Sequence, residues 1–245
     1  MVDYRVHLSF INEFKEIFIA DAVLSIAFTL YLIGGFSLSA LGQFEYFFPI
    51  SVIAISFSFV LHELMHKFTA QRFGAIAAFK SSTIGLAITL IPSLVGILIG
   101  LPGATYIYTN KFTKEENGIV SLAGPLTNFA VFMIFLAAGM LMFRNFLPNV
   151  TSSFSSAYVG NTYLQNLVNI TLFTSIILAF FNMLPIYPLD GSKVLMWNSG
   201  VYSAMIVTIF ALLLLILPIL SLIFSLMIML VLAYFLSKVS RMVLF

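Results

Sequence analysis

The chain has 245 residues, 61% of them hydrophobic and only 8% charged. Soluble domains carry about a quarter charged residues, so this composition excludes a water-soluble globule and indicates a membrane protein. The net charge of +2 is too small to suggest a nucleic-acid partner. No cysteine is present, which excludes disulfides, thiolate metal sites and cysteine nucleophiles; a metal site must draw on three histidines, six glutamates and three aspartates.

In chain order, the N-terminal stretch with Asp3, Arg5, Glu13 and Lys15 is too polar for a signal peptide and is expected to be retained. Hydropathy predicts a first span over about 21–40 and a second over 47–66, followed by Lys67, Arg72 and Lys80. Residues 81–109 are apolar but interrupted by Gly85, Pro92, Gly96, Gly100, Pro102 and Gly103, which is poor helix composition. A third span is expected over about 118–143 and a fourth over 167–187, separated by a polar stretch that carries a glycosylation-like Asn149-Val150-Thr151. Residues 201–236 form one apolar tract with Pro218 at its middle, long enough for two crossings of about 17 residues each. The expected architecture is therefore an all-α polytopic membrane protein of about six transmembrane helices. A membrane-embedded β-hairpin or re-entrant element lies between the second and third, and residues 1–245 form a single domain.

The basic residues orient this arrangement. With the N-terminus inside and six crossings, Arg5, Lys15, Lys67, Arg72, Lys80, Lys111, Lys114, Lys193, Lys238 and Arg241 are cytoplasmic and only Arg144 is outside, in line with the positive-inside rule. That holds only if residues 81–109 enter the membrane and return to the same side. Non-helical backbone at membrane depth is tolerated only beside protein or a water-filled cavity, so this stretch is expected to pack next to a wet site.

The second span ends in His62-Glu63-Leu64-Met65-His66, the H-E-x-x-H pattern of zinc peptidases. Four residues advance about 400° around a helix, so both imidazoles lie on one face and can share a metal, while Glu63 can take a proton from water. The bland alternative is an interfacial pair of histidines without a ligand. Against it stands the depth of the motif. A carboxylate short of the membrane edge costs about 3 kcal/mol by insertion scales, which a divalent ion in a hydrated cavity would offset.

Two histidines leave a catalytic zinc one protein ligand short. His7 lies in the polar N-terminal arm and reads as a solvated surface residue. The downstream candidate is Asp190, in Asn182-Met183-Leu184-Pro185-Ile186-Tyr187-Pro188-Leu189-Asp190-Gly191 at the inner end of the fourth span. It falls on the same side as His62 and His66 only if residues 81–109 re-enter, the same condition that charge counting imposes.

H-E-x-x-H followed by N-x-x-P-x-x-P-L-D-G on a later span resembles the site-2 protease family of intramembrane zinc metalloproteases, peptidase family M50, in a compact form without a PDZ domain. The resemblance covers about 47–191 and implies a catalytic core there, holding one zinc ion. It implies His62, His66 and Asp190 as zinc ligands, Glu63 as catalytic base and Asn182 as a polar group holding the substrate or its oxyanion. It further implies membrane-anchored protein substrates cut within their transmembrane helices, in a multi-pass protein of the cell membrane with cytoplasmic termini and a site toward the cytoplasmic side. Gly124-Pro125-Leu126-Thr127-Asn128 also resembles a family turn at the start of the third span, although each of those residues alone reads equally as a kink or small-residue packing site.

Other chemistries fit less well. No G-x-S-G turn is present for a rhomboid-type serine protease, and no G-x-G-D for a presenilin-type aspartyl protease; Asp21 reads as an interfacial residue. Prenyl-protein-type zincins use a later glutamate, and only Glu115 and Glu116 follow the motif, in a polar loop. Two alternatives from other classes stay open: a membrane metal transporter using the His/Asp cluster as a transit site, and an inactive relative that binds substrate as a scaffold.

Overall fold

The structure is a computed structural model that describes residues 10–108, 112–146 and 162–216. The expectations for His7, Lys111, the Asn149 sequon, Pro218, the sixth span and both termini fall outside these residues. Helix α1 (Phe10–Leu32) begins well before the span expected from residue 21 and ends at a turn through Gly34 and Gly35. Its early start puts Glu13 and Glu16 on a helix, where they bind the sheet described below.

The second apolar segment is one continuous helical run, Leu38–Arg72. It opens with a short 3-10 turn, continues as α2 (Leu41–Ile55), passes through a π turn (Ser56–Val60) and ends as α3 (Leu61–Arg72). The Leu61 N–H reaches back to the Ser56 carbonyl, so the widened turn inserts an extra residue just before His62. Such insertions re-aim the residues that follow and are common at functional sites.

The stretch expected to be non-helical contains a helix after all. Strand β1 (Ile76–Ser81) leads into α4 (Thr83–Ser93), and strand β2 (Gly103–Tyr108) returns antiparallel to β1. Ser82 starts α4 by accepting the Gly85 N–H on its hydroxyl, and Pro92 falls in the last turn, where it no longer breaks the helix body. Composition therefore misjudges these residues: a single cap and packing against α1 suffice for three turns. Because Ile76 pairs with Tyr108, the segment leaves and returns at one place.

Helix α5 (Lys114–Met142) starts at a reciprocal capping box between Thr113 and Glu116. It runs without interruption through Gly124-Pro125-Leu126-Thr127-Asn128. The turn expected there is absent, because the box begins the helix earlier and this segment is helix interior. Helix α6 (Tyr163–Asn182) ends in the Pro-containing turn that leads to α7 (Asp190–Trp197), and α8 (Ser199–Ile216) follows.

Among the described helices, three are long and apolar enough to cross a membrane: Leu38–Arg72, Lys114–Met142 and Tyr163–Asn182. One core lies between α5, α6, α7 and α8, centred on Phe132, Leu172, Ile176 and Ile209. A second joins α1, α2, β1 and α6 through Leu24, Ile50, Ala54, Phe79 and Ile170, and a small third one gathers Ala70, Ala75, Ala77 and Val120. The metal-binding candidates sit where α3, α5 and α7 meet.

Candidate metal centre

His62 and His66 occupy the first turns of α3 and are both buried, at 3% and 8% exposure. Asp190 opens α7 and is likewise buried. Its position depends on Gly191, where a Cβ would stand 2.2 Å from the Met183 carbonyl oxygen; the first turn of α7 can press against the end of α6 only without a side chain there. The three side chains come from residues far apart in sequence, yet one ligand atom of each lies within 4.8 Å of the others.

Their spacing suits a zinc ion. His62 Nε2 and His66 Nε2 are 3.0 Å apart, and Asp190 Oδ2 is 3.1 Å from His66 Nε2 and 3.3 Å from His62 Nε2. Ligand atoms around a tetrahedral zinc with bonds of about 2.0–2.1 Å are separated by about 3.3 Å. Hydrogen-bond chemistry agrees. His66 Nδ1 lies 2.7 Å from the Val120 carbonyl, which can only accept, so Nδ1 carries the proton and Nε2 offers its lone pair to the cluster. His62 Nδ1 lies 3.1 Å from the Asn128 amide, whose Oδ1 is buried without a partner. With that oxygen turned to the ring, Asn128 accepts from Nδ1–H and His62 Nε2 is likewise free to ligate. Three electron-pair donors facing one another at 3.0–3.3 Å repel unless a cation lies among them. Gly124 supplies the space: a Cβ there would stand 2.5 Å from Nε2 of both histidines.

Glu63 does not join this cluster. Its carboxylate Oε2 accepts the Thr105 backbone N–H of β2 at 2.8 Å, and its backbone carbonyl accepts the Thr105 hydroxyl at 3.0 Å. Asn182 is half-buried at the end of α6, with its amide N–H donated to the Leu178 carbonyl at 3.1 Å. Lys193 approaches the second oxygen of Asp190 at 3.8 Å, one turn along α7. Sequence reasoning did not single out Thr105 or the Val120 carbonyl, since neither carries a chemical signature. Gly124 and Asn128 were visible only as part of a segment read as a turn.

A model of peptidase family M50 matches residues 50–217. A protein of Methanocaldococcus jannaschii named "Putative zinc metalloprotease MJ0611" is 41% identical over 157 residues, which is 64% of this chain and 74% of that protein. The similarly named YwhC of Bacillus subtilis is 28% identical over 155 residues, 60% of this chain and 68% of its own. Rip2 of Mycobacterium tuberculosis is 40% identical over 101 residues, 35% of this chain and only 38% of that protein. No solved structure matches the chain. The family model spans well over half of the sequence and includes all three residues of the cluster; the chain belongs to peptidase family M50.

Proposed function

We propose that this protein is a zinc-dependent endopeptidase that hydrolyses peptide bonds within transmembrane segments of membrane-anchored proteins. The observation that carries this reading is the convergence of His62, His66 and Asp190 in the family's matched region, buried and at zinc-ligand spacing. His62 and His66 through Nε2 and Asp190 through Oδ2 would hold the ion. Zinc bound there would bring the pKa of water towards neutrality and polarise a carbonyl.

The remaining work falls to the chain. Glu63, next to His62, takes the proton from the attacking water and returns it to the leaving amine. Asn182 can turn its amide from the Leu178 carbonyl towards a substrate carbonyl. A helical substrate must unwind before its backbone is accessible, and a sheet edge can hold it extended. The outer edge of β1 is already occupied: Glu13 accepts the Phe79 N–H, Glu16 the Ser81 N–H, and Gln71 donates to the Ala77 carbonyl. On β2, alternation turns Gly103, Thr105 and Ile107 outward, and Thr105 N–H is taken by Glu63. The substrate strand would therefore pair at Ile107 or Gly103.

The single domain, its core over about 47–191, a cell-membrane location with six crossings and cytoplasmic termini belong to the same proposal, supported by the adjacency of Ile76 and Tyr108, which returns the 81–109 segment to its point of departure. Metal analysis of the purified protein in detergent, with cleavage of a helical test substrate before and after chelation, tests it. Chelator-sensitive cleavage is expected. Zinc flux into liposomes without cleavage would indicate a transporter, and binding without cleavage a scaffold; either would overturn the protease reading.

A further inference from the structure

We propose that Thr105 is a positioning residue that holds Glu63 in its working orientation, as one link in a ring of contacts anchored twice on α3; this rests on the reading of Glu63 as the base. Glu63 follows His62 by one residue, about 100° around the helix, so its carboxylate does not point at the shared face of the two imidazoles by helix geometry alone. It has to be held. Thr105 does so from both ends of the glutamate, donating its N–H to Oε2 at 2.8 Å and its hydroxyl to the Glu63 carbonyl at 3.0 Å. The second bond ties the strand to the helix backbone, so the first cannot drift. With Oε2 occupied, Oε1 is the oxygen left for water.

The strand is itself held from behind. Thr105 is the cross-strand partner of Phe79, and the Phe79 N–H points the opposite way, to Glu13 Oε1 at 3.2 Å. The other oxygen of Glu13 accepts from Lys67 at 2.6 Å. Lys67 lies on α3 four residues after Glu63, one turn along. The path Glu63–Thr105–Phe79–Glu13–Lys67 therefore starts and finishes on the helix that carries His62 and His66, with the β-pair clasped between. Glu13 and Lys67 are both largely buried, where a charge-assisted bond is stronger and less screened than on a surface. An edge-strand N–H on a carboxylate, joined by one hydroxyl on a backbone carbonyl 42 residues away, follows no sequence pattern, which is why the sequence carries no mark of it.

Two measurements test this. Thr105→Pro removes both donors at an outward-facing edge position, where a sheet tolerates proline. Its kcat is expected to fall about 10–100-fold, the usual loss when a supporting hydrogen bond of a metal site is removed. KM should change by less than about threefold, and bound zinc and the Co2+-substituted absorption spectrum should match the wild type. Thr105→Ser, which keeps both donors, should recover most of kcat. The second measurement needs no activity: amide exchange at Thr105, protected in the wild type, should accelerate at least about tenfold in Glu63→Ala. Unchanged exchange overturns the proposal whether or not the protein cleaves peptides, as does Thr105→Pro with wild-type kcat or with a loss accounted for by lost metal. Thr105 exchange that responds to Glu63 in a protein that binds zinc but never cleaves would support the ring and reject the protease reading.

Discussion

Gly124 lies beneath the Nε2 atoms of both histidines at a distance no Cβ tolerates. Gly124→Ala should push the imidazoles apart and weaken zinc affinity at least about tenfold, as measured by competition with a chromogenic chelator, while α5 keeps its helix content; unaltered affinity would mean that the rings are free to shift. Asp190→Ala removes the only carboxylate of the group and should abolish stoichiometric zinc in metal analysis. Glu63→Ala should behave oppositely, retaining zinc and losing cleavage by at least about 10²-fold, since general-base catalysis contributes about that much. At this scale the candidate ligands were legible in sequence because spacing of four on a helix puts two histidines on one face. Thr105, Val120 and Asn128 were not, because they act through backbone groups, or through a hydroxyl or amide whose partner is 42 or 66 residues away.

Among the elements, the β1–α4–β2 segment departs furthest from expectation. Its Gly and Pro residues argue against helix, yet one cap at Ser82 and packing against α1 support α4 between two strands. Propensity describes a residue in water, and it weighs least where tertiary packing or lipid replaces water. The expected form is a β-hairpin or a re-entrant element; the structure contains a strand pair with a helix between its two strands. The clasp of α1 on β1 has an energetic consequence. Glu13→Ala would leave Lys67 without its buried partner and the Phe79 N–H without an acceptor. Breaking one side of such a pair costs about 3–5 kcal/mol. The variant should melt earlier in detergent and expose β1 to proteolysis before the rest of the chain; an unchanged melting temperature would show that the clasp contributes little.

For the molecule as a whole, the orientation inferred from lysine and arginine placement can be tested on α5, whose ends carry Lys114 and Arg144 nearby. The protein has no cysteine, so a single cysteine at either position is a clean probe. A membrane-impermeant maleimide should label position 114 only from the cytoplasmic face and position 144 only from the opposite face; the reverse pattern would mean that residues 81–109 cross fully. The charge pattern and the candidate ligand set make the same demand, because His62 and Asp190 can meet only if the chain between the second and third spans returns to its starting side. Ile76 and Tyr108, as paired neighbours, bring the two ends of that segment together.

The sequence by itself determined the membrane class and the helical character of the long apolar runs, because transfer free energy and helical periodicity are local properties of a stretch of chain. It also marked His62, His66 and Asp190, since ionisable groups in so apolar a chain are few. Tertiary structure alone decided what surrounds them. The carbonyl that sets the proton on His66, the glycine that makes room for two rings and the strand that grips Glu63 are contacts between distant segments made by groups every residue possesses. Backbone groups carry no identity in a sequence, so their use in a site becomes visible only when the chain is folded.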